Sequence, residues 1–116
     1  MIVETSALVA IVLQEPERPT FTRAISLEVA PRMSAACYFE TGIVTDALRD
    51  PVLSRRLDDT LTELGIAIEP VTEEQARIAR QAYRDFGRGS GHPARLNFGD
   101  CFAYALAKVT GEPSRR

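Results

Sequence analysis

Three carboxylates fall where a carboxylate is costly to place. Glu4 follows the apolar run MIV, where a buried strand ends and a helix begins. Glu40 lies in MSAACYFE beside an apolar stripe, on one face with Val44 and Ala47. Asp100 sits in the first turn of a last helix, flanked by Phe98, Cys101 and Phe102. Burying one carboxylate is unfavourable unless its charge is compensated, and several together raise one another's pKa values. A divalent cation removes both penalties. Mg²⁺ and Mn²⁺ prefer carboxylate and water oxygens, and such an ion activates water and stabilises charge developing on a phosphate oxygen. Each acid also has a plainer reading: Glu4 as a solvated strand end, Glu40 as an outward-pointing edge residue, and Asp100, three residues after Asn97, as a complement to the helix dipole. Spacing alone leaves both open.

The elements that must position these acids alternate between short strands and helices, which predicts an α/β fold with a mainly parallel sheet. Residues 1–4 read as a buried strand, and Thr5 or Ser6 can cap the helix that follows, to about Gln14. Glu15-Pro16 breaks it, and a second helix carries Phe21, Ala24 and Ile25 on one face. Residues 31–34 read as a strand, and from Ala35 to Leu48 the spacing is helical, with Phe39, Ile43 and Ala47 in line. Asp50-Pro51 starts a helix with a stripe of Leu53, Leu57, Leu61 and Leu64, which Gly65 ends. Residues 66–71 are a third strand. Thr72 and Gln75 form a capping box for a helix whose inner face is Ala76, Ala79, Tyr83 and Phe86. The glycine-rich stretch GRGSGHPARLNFGD is a loop leading to a helix from Asn97 or Phe98, which carries Phe102, Leu106 and Val109 inward.

At 116 residues the chain is one domain, residues 1–116, with a globular composition of 45% hydrophobic and 26% charged residues. It has neither an apolar run of membrane-spanning length nor a basic signal-peptide n-region, so a cytoplasmic protein is expected. Cys37 and Cys101 fit no metal-binding spacing and read as buried hydrophobes in a reducing compartment, a disulfide being the alternative. A net charge of −2 argues against bulk electrostatic binding of nucleic acid, so any such contact needs a local patch. Arg77, Arg80, Arg84 and Arg88 share a helical face, which His92 and Arg95 extend towards Asp100; Arg suits phosphate because its fork is bidentate. The same face also reads as ordinary solvated surface with a Glu73–Arg77 pair.

Taken together, IVETSALVAI, MSAACYFE and GHPARLNFGDCFAYALAKVTGEP resemble the PIN-domain ribonucleases, and more closely the VapC toxins of bacterial toxin–antitoxin pairs. The resemblance covers essentially the whole chain. It implies an α/β/α sandwich around a short, mainly parallel sheet. It also implies a Mg²⁺- or Mn²⁺-dependent endoribonuclease, dimeric, inhibited by a VapB-type antitoxin and cutting RNA of the tRNA or rRNA class. The family's metal-holding and catalytic acids fall on Glu4, Glu40 and Asp100. Thr5 and Ser6 take the hydroxyl positions that orient the metal's waters, and Asn97 supports the site. Arg95, five residues before Asp100 and inside the most specific block, is then the foremost RNA-contact candidate, with Arg88 and Arg84 of the same basic face.

Two departures stand out. The family pattern has Asp where this chain has Glu4. After GEP the family continues with an apolar strand and a fourth acid, whereas here SRR follows. The sheet is therefore expected to lack its C-terminal strand and to leave an open edge beside Glu4, which favours association with another chain. Two rival functions follow: a catalytically weak PIN-like regulator or decoy acting through antitoxin binding, and a DNA nuclease or phosphatase using the same acids.

Overall fold

Ile2 and Val3 are adjacent in an extended segment, so their side chains leave opposite faces of it, yet both are fully buried. Met33 and Ser34 repeat this. A sheet buried on both faces must be covered on both sides by helices. The computed structural model, which describes residues 1–115, has this architecture. Along the chain lie β1 (Ile2–Val3), α1 (Thr5–Val12), α2 (Arg18–Ser26), β2 (Arg32–Ser34) and α3 (Ala35–Asp46). They are followed by α4 (Pro51–Leu64), β3 (Ala67–Glu69), α5 (Glu73–Phe86), α6 (Phe98–Thr110) and β4 (Ser114–Arg115). The strand order is β3-β2-β1-β4, and every neighbouring pair is parallel. Parallel neighbours need a crossover, and here each strand is followed by a helix pair before the next.

The main core joins β1, α1 and Ile25 to Met33, Cys37, Leu57, Leu61, Ala103 and Leu106. A smaller cluster of Ala79, Ala82, Leu96, Cys101 and Ala105 binds α5 to α6. Both cysteines are buried free thiols. Among the described residues, no helix is long and apolar enough to cross a membrane.

Several local expectations need correcting. The sheet does have a C-terminal strand: Ser114 and Arg115 pair with Ile2 and Val3. Ser-Arg-Arg lacks the apolar pattern of a strand, but pairing at an edge needs only backbone groups, and the chain is steered there by the preceding turn. Gly111 adopts the left-handed conformation that caps α6 (φ 70°). Glu112 then receives the Met1 ammonium at 2.8 Å and the Arg32 guanidinium, and Ile2 N–H donates to Pro113 O at 2.8 Å.

On α3 the inner face is Cys37, Thr41 and Thr45, while Phe39 (67%) and Ile43 (54%) are exposed with Val44, Ala47 and Leu48. The threonines tolerate burial because each hydroxyl donates to the carbonyl one turn back: Thr41 to Cys37 O and Thr45 to Thr41 O, both at 2.8 Å. On α5 the buried residues are Gln75, Ala79 and Ala82, whereas Ala76 and Tyr83 face outward. Thr72 accepts from Gln75 N–H at 3.1 Å, but the Gln75 Oε1 atom is buried without a hydrogen bond, so only half of the expected capping box forms. Val109 on α6 is also outward-facing.

Candidate active site

Glu4 is the last extended residue after β1 (φ −91°, ψ 159°) and holds the N-cap position of α1. Thr5 and Ser6 are therefore already helical rather than capping, because the chain turns one residue earlier than their hydroxyls suggest. The Glu4 carbonyl accepts from Ala7 and Leu8 N–H, each at 3.2 Å, and the residue is only 5% exposed. A carboxylate is thus placed at the carboxyl end of a central strand, where ligand crevices of open α/β sheets form.

Asp100 is held by local chemistry. Asn97 Oδ1 accepts from Asp100 N–H at 2.9 Å, and Asp100 Oδ2 accepts from Asn97 N–H at 3.0 Å. This reciprocal capping box fixes the acid in the first turn of α6. The loop before it is pinned by Leu96, whose N–H donates to Phe86 O at 2.9 Å and whose carbonyl accepts from Arg88 N–H at 3.2 Å. The fold then makes Glu4 and Asp100 share one cavity of about 270 Å³ with Leu96, Tyr104 and Ser114.

Glu40 reaches the same region from α3. Its carboxylate lies against Gly99, where the Thr5 hydroxyl also approaches. Between them is Cys37, whose Sγ donates to Gly99 O at 3.3 Å and whose carbonyl accepts from Thr5 Oγ1 at 3.5 Å. Burial pushes the Cys37 thiol up to about 12. The Thr5 hydroxyl opposes this, and the negative charges of Glu40, Glu4 and Asp100 add to it. Cys37 is therefore a protonated donor to Gly99 O rather than a thiolate. Cys101 is raised by burial and by Asp100.

Of the other expected site residues, Asn97 is exposed but bonded to Asp100, and Ser6, Arg84, Arg88 and Arg95 are exposed. Arg95 has a left-handed backbone (φ 48°) and lines a shallow surface with Gly89, Gly91, His92 and Pro93. Among the described residues, no group of three or more His, Cys, Asp or Glu is arranged to hold a metal ion. The acids converge on one region without closing into a cage.

Tyr104, Ser114, Cys37 and Gly99 also lie at this region, and the sequence pattern does not single them out. Tyr104 had a signal, being one turn after Asp100 on the same helical face. Ser114 had none, because only strand pairing brings it beside β1.

This strand order, with acids at the end of β1 and the start of α6, defines a PIN-type α/β/α domain, and the PIN domain family model matches residues 1–114. Ribonuclease VapC28 of Mycobacterium tuberculosis is 56% identical over 113 residues, covering 97% of this chain and 85% of that one. Ribonuclease VapC of Mycolicibacterium smegmatis is 44% identical, with 97% and 87% covered. The chain belongs to the VapC-type branch of the PIN-domain family. In fold it matches the crystal structure of M. tuberculosis VapC20, a sarcin-ricin loop cleaving toxin, with TM-score 0.73 and 17% identity over 96% of this chain and 83% of that one.

Proposed function

We propose that this protein is a VapC-type toxin that hydrolyses RNA phosphodiester bonds with a Mg²⁺ or Mn²⁺ ion. The observation that carries the reading is the cavity shared by the buried Glu4 and by Asp100, in a chain similar over 97% of its length to VapC ribonucleases. The donor chemistry fits: carboxylates are hard oxygen ligands, and Mg²⁺ keeps several waters and so does not require a closed protein cage. Glu4, Asp100 and Glu40 would hold the ion, with Thr5, Ser6 and Asn97 orienting its waters. The bound ion supplies an activated water and offsets charge developing on the phosphate.

The chain's own residues do the rest. The Asn97 capping box keeps the Asp100 carboxylate fixed. Arg95, Arg88 and Arg84, exposed and without ion pairs among the described residues, would bind the RNA backbone, of the tRNA or rRNA class. A VapB-type antitoxin would inhibit the protein, and the exposed apolar face of α3 supports a homodimer. The setting would be the cytoplasm.

The test is cleavage of a structured RNA with Mg²⁺ or Mn²⁺ by the wild type and by Asp100→Asn. The variant should be slower by on the order of a hundredfold, while retaining an oxygen that can accept from Asn97 N–H and hence the fold. Equal rates would overturn the site. A second reading, a weakly active regulator or decoy working through antitoxin binding, is favoured by Glu4 in place of Asp and by the absence of a three-ligand group among the described residues. It predicts tight antitoxin binding without cleavage. Cleavage of DNA in preference to RNA would instead favour a DNA nuclease.

A further inference from the structure

Gly99 lies in the first turn of α6, one residue before Asp100, and is buried. A β-carbon there would overlap Glu40 Oε1, lie 2.8 Å from Glu40 Cδ and 3.0 Å from Thr5 Oγ1. The side chain that glycine lacks is thus replaced by the carboxylate of another helix. We propose that Gly99 is a positioning residue, whose missing side chain seats the Glu40 carboxylate beside Thr5 and Asp100 at the start of α6.

Two contacts hold the seat in register. Cys37, one turn before Glu40 on α3, donates from Sγ to Gly99 O at 3.3 Å, and Thr5, next to Glu4, donates to Cys37 O at 3.5 Å. Each of the three acid-bearing segments is tied to another within one turn of its acid. Asp100 is placed by its hydrogen bond from Asn97 N–H, whereas the Glu40 carboxylate occupies the space that the Gly99 side chain leaves empty.

This makes an unusual substitution informative. Gly99 is helical without a positive φ, so its backbone accepts alanine, and alanine is the better helix former. The two closest atoms belong to the far end of the flexible Glu40 side chain, and Thr5 Oγ1 need give by only a few tenths of an ångström, so Gly99→Ala displaces Glu40 rather than the helix. A residue needed only for packing would behave in the opposite way, losing stability when enlarged.

The inference rests on the reading of these acids as metal ligands, and the experiment separates the two. Mn²⁺ is titrated calorimetrically into the wild type, Gly99→Ala, Glu40→Gln, the double variant and Asp100→Asn, with thermal melting of each. Gly99→Ala should weaken Mn²⁺ binding about tenfold with a melting temperature equal to or above that of the wild type. In the Glu40→Gln background it should add nothing, because one change displaces and the other removes the same carboxylate. Wild-type affinity in Gly99→Ala, additive losses in the double variant, or a melting temperature that falls with affinity would each overturn the role. A wild type that takes up no Mn²⁺, or an Asp100→Asn protein as tight as wild type, would instead overturn the metal site itself.

Discussion

At the scale of single residues, the proposed metal site makes its sharpest geometric demand on Glu4. A glutamate carboxylate stands about 1.5 Å further from its backbone than an aspartate carboxylate. Mg²⁺ requires oxygen ligands at about 2.0–2.1 Å in near-octahedral geometry. Glu4 is 5% exposed and its backbone is committed to the start of α1, so the extra length cannot be absorbed by moving the chain. Glu4→Asp should therefore raise Mn²⁺ affinity, read by calorimetry. Unchanged affinity would remove Glu4 from the ligand set.

At the scale of elements, the two shortest strands depend on contacts made outside them. β4 has two residues, and its approach to β1 is organised by Glu112, which bonds the Met1 ammonium and Arg32. The Arg32 guanidinium first, and the Met1 ammonium with it, hold the Glu112 carboxyl at about 2, well below its ordinary 4.5. A carboxyl with a depressed folded pKa stabilises the fold above its unfolded pKa and loses that contribution as it protonates. The Glu112 contribution should thus be complete above about pH 4.5 and fade as pH falls towards 2. Glu112→Gln should flatten that part of the acid-unfolding curve and leave the neutral-to-basic limb unchanged in shape. An unaltered acid limb would show that the contact does not hold β4.

At the scale of the whole molecule, α3 displays Phe39, Ile43 and Val44 to solvent, with Leu48 just beyond its end, while burying threonines. Clustered exposed apolar side chains on a soluble surface mark association sites. Phe39→Glu with Ile43→Glu should shift a wild-type dimer to monomer in sedimentation velocity, with little change in melting, since neither residue joins the core. A wild type that is monomeric at all concentrations, or a variant that remains dimeric, would exclude this face. Mean composition and a net charge of −2 give no sign of such a surface.

What the sequence alone determined follows from local physics. Strand–helix alternation, the Asp50-Pro51 start, the Gly65 stop and the start of the last helix near Asn97 depend on neighbours three or four residues away, and they are legible for that reason. The motif resemblance named the three acids as the candidate site. The inner face of α3 differs from the one its apolar spacing predicts because a buried threonine satisfied by its own helix is indistinguishable, in the one-dimensional pattern, from a solvated one. Only the tertiary structure decided that Ser114 and Arg115 pair with β1, that Glu4 and Asp100 open on one cavity, and that Glu40 rests on Gly99. These juxtapositions join residues some 60 to more than 100 positions apart through backbone pairing and the absence of a side chain, and neither leaves a local signal.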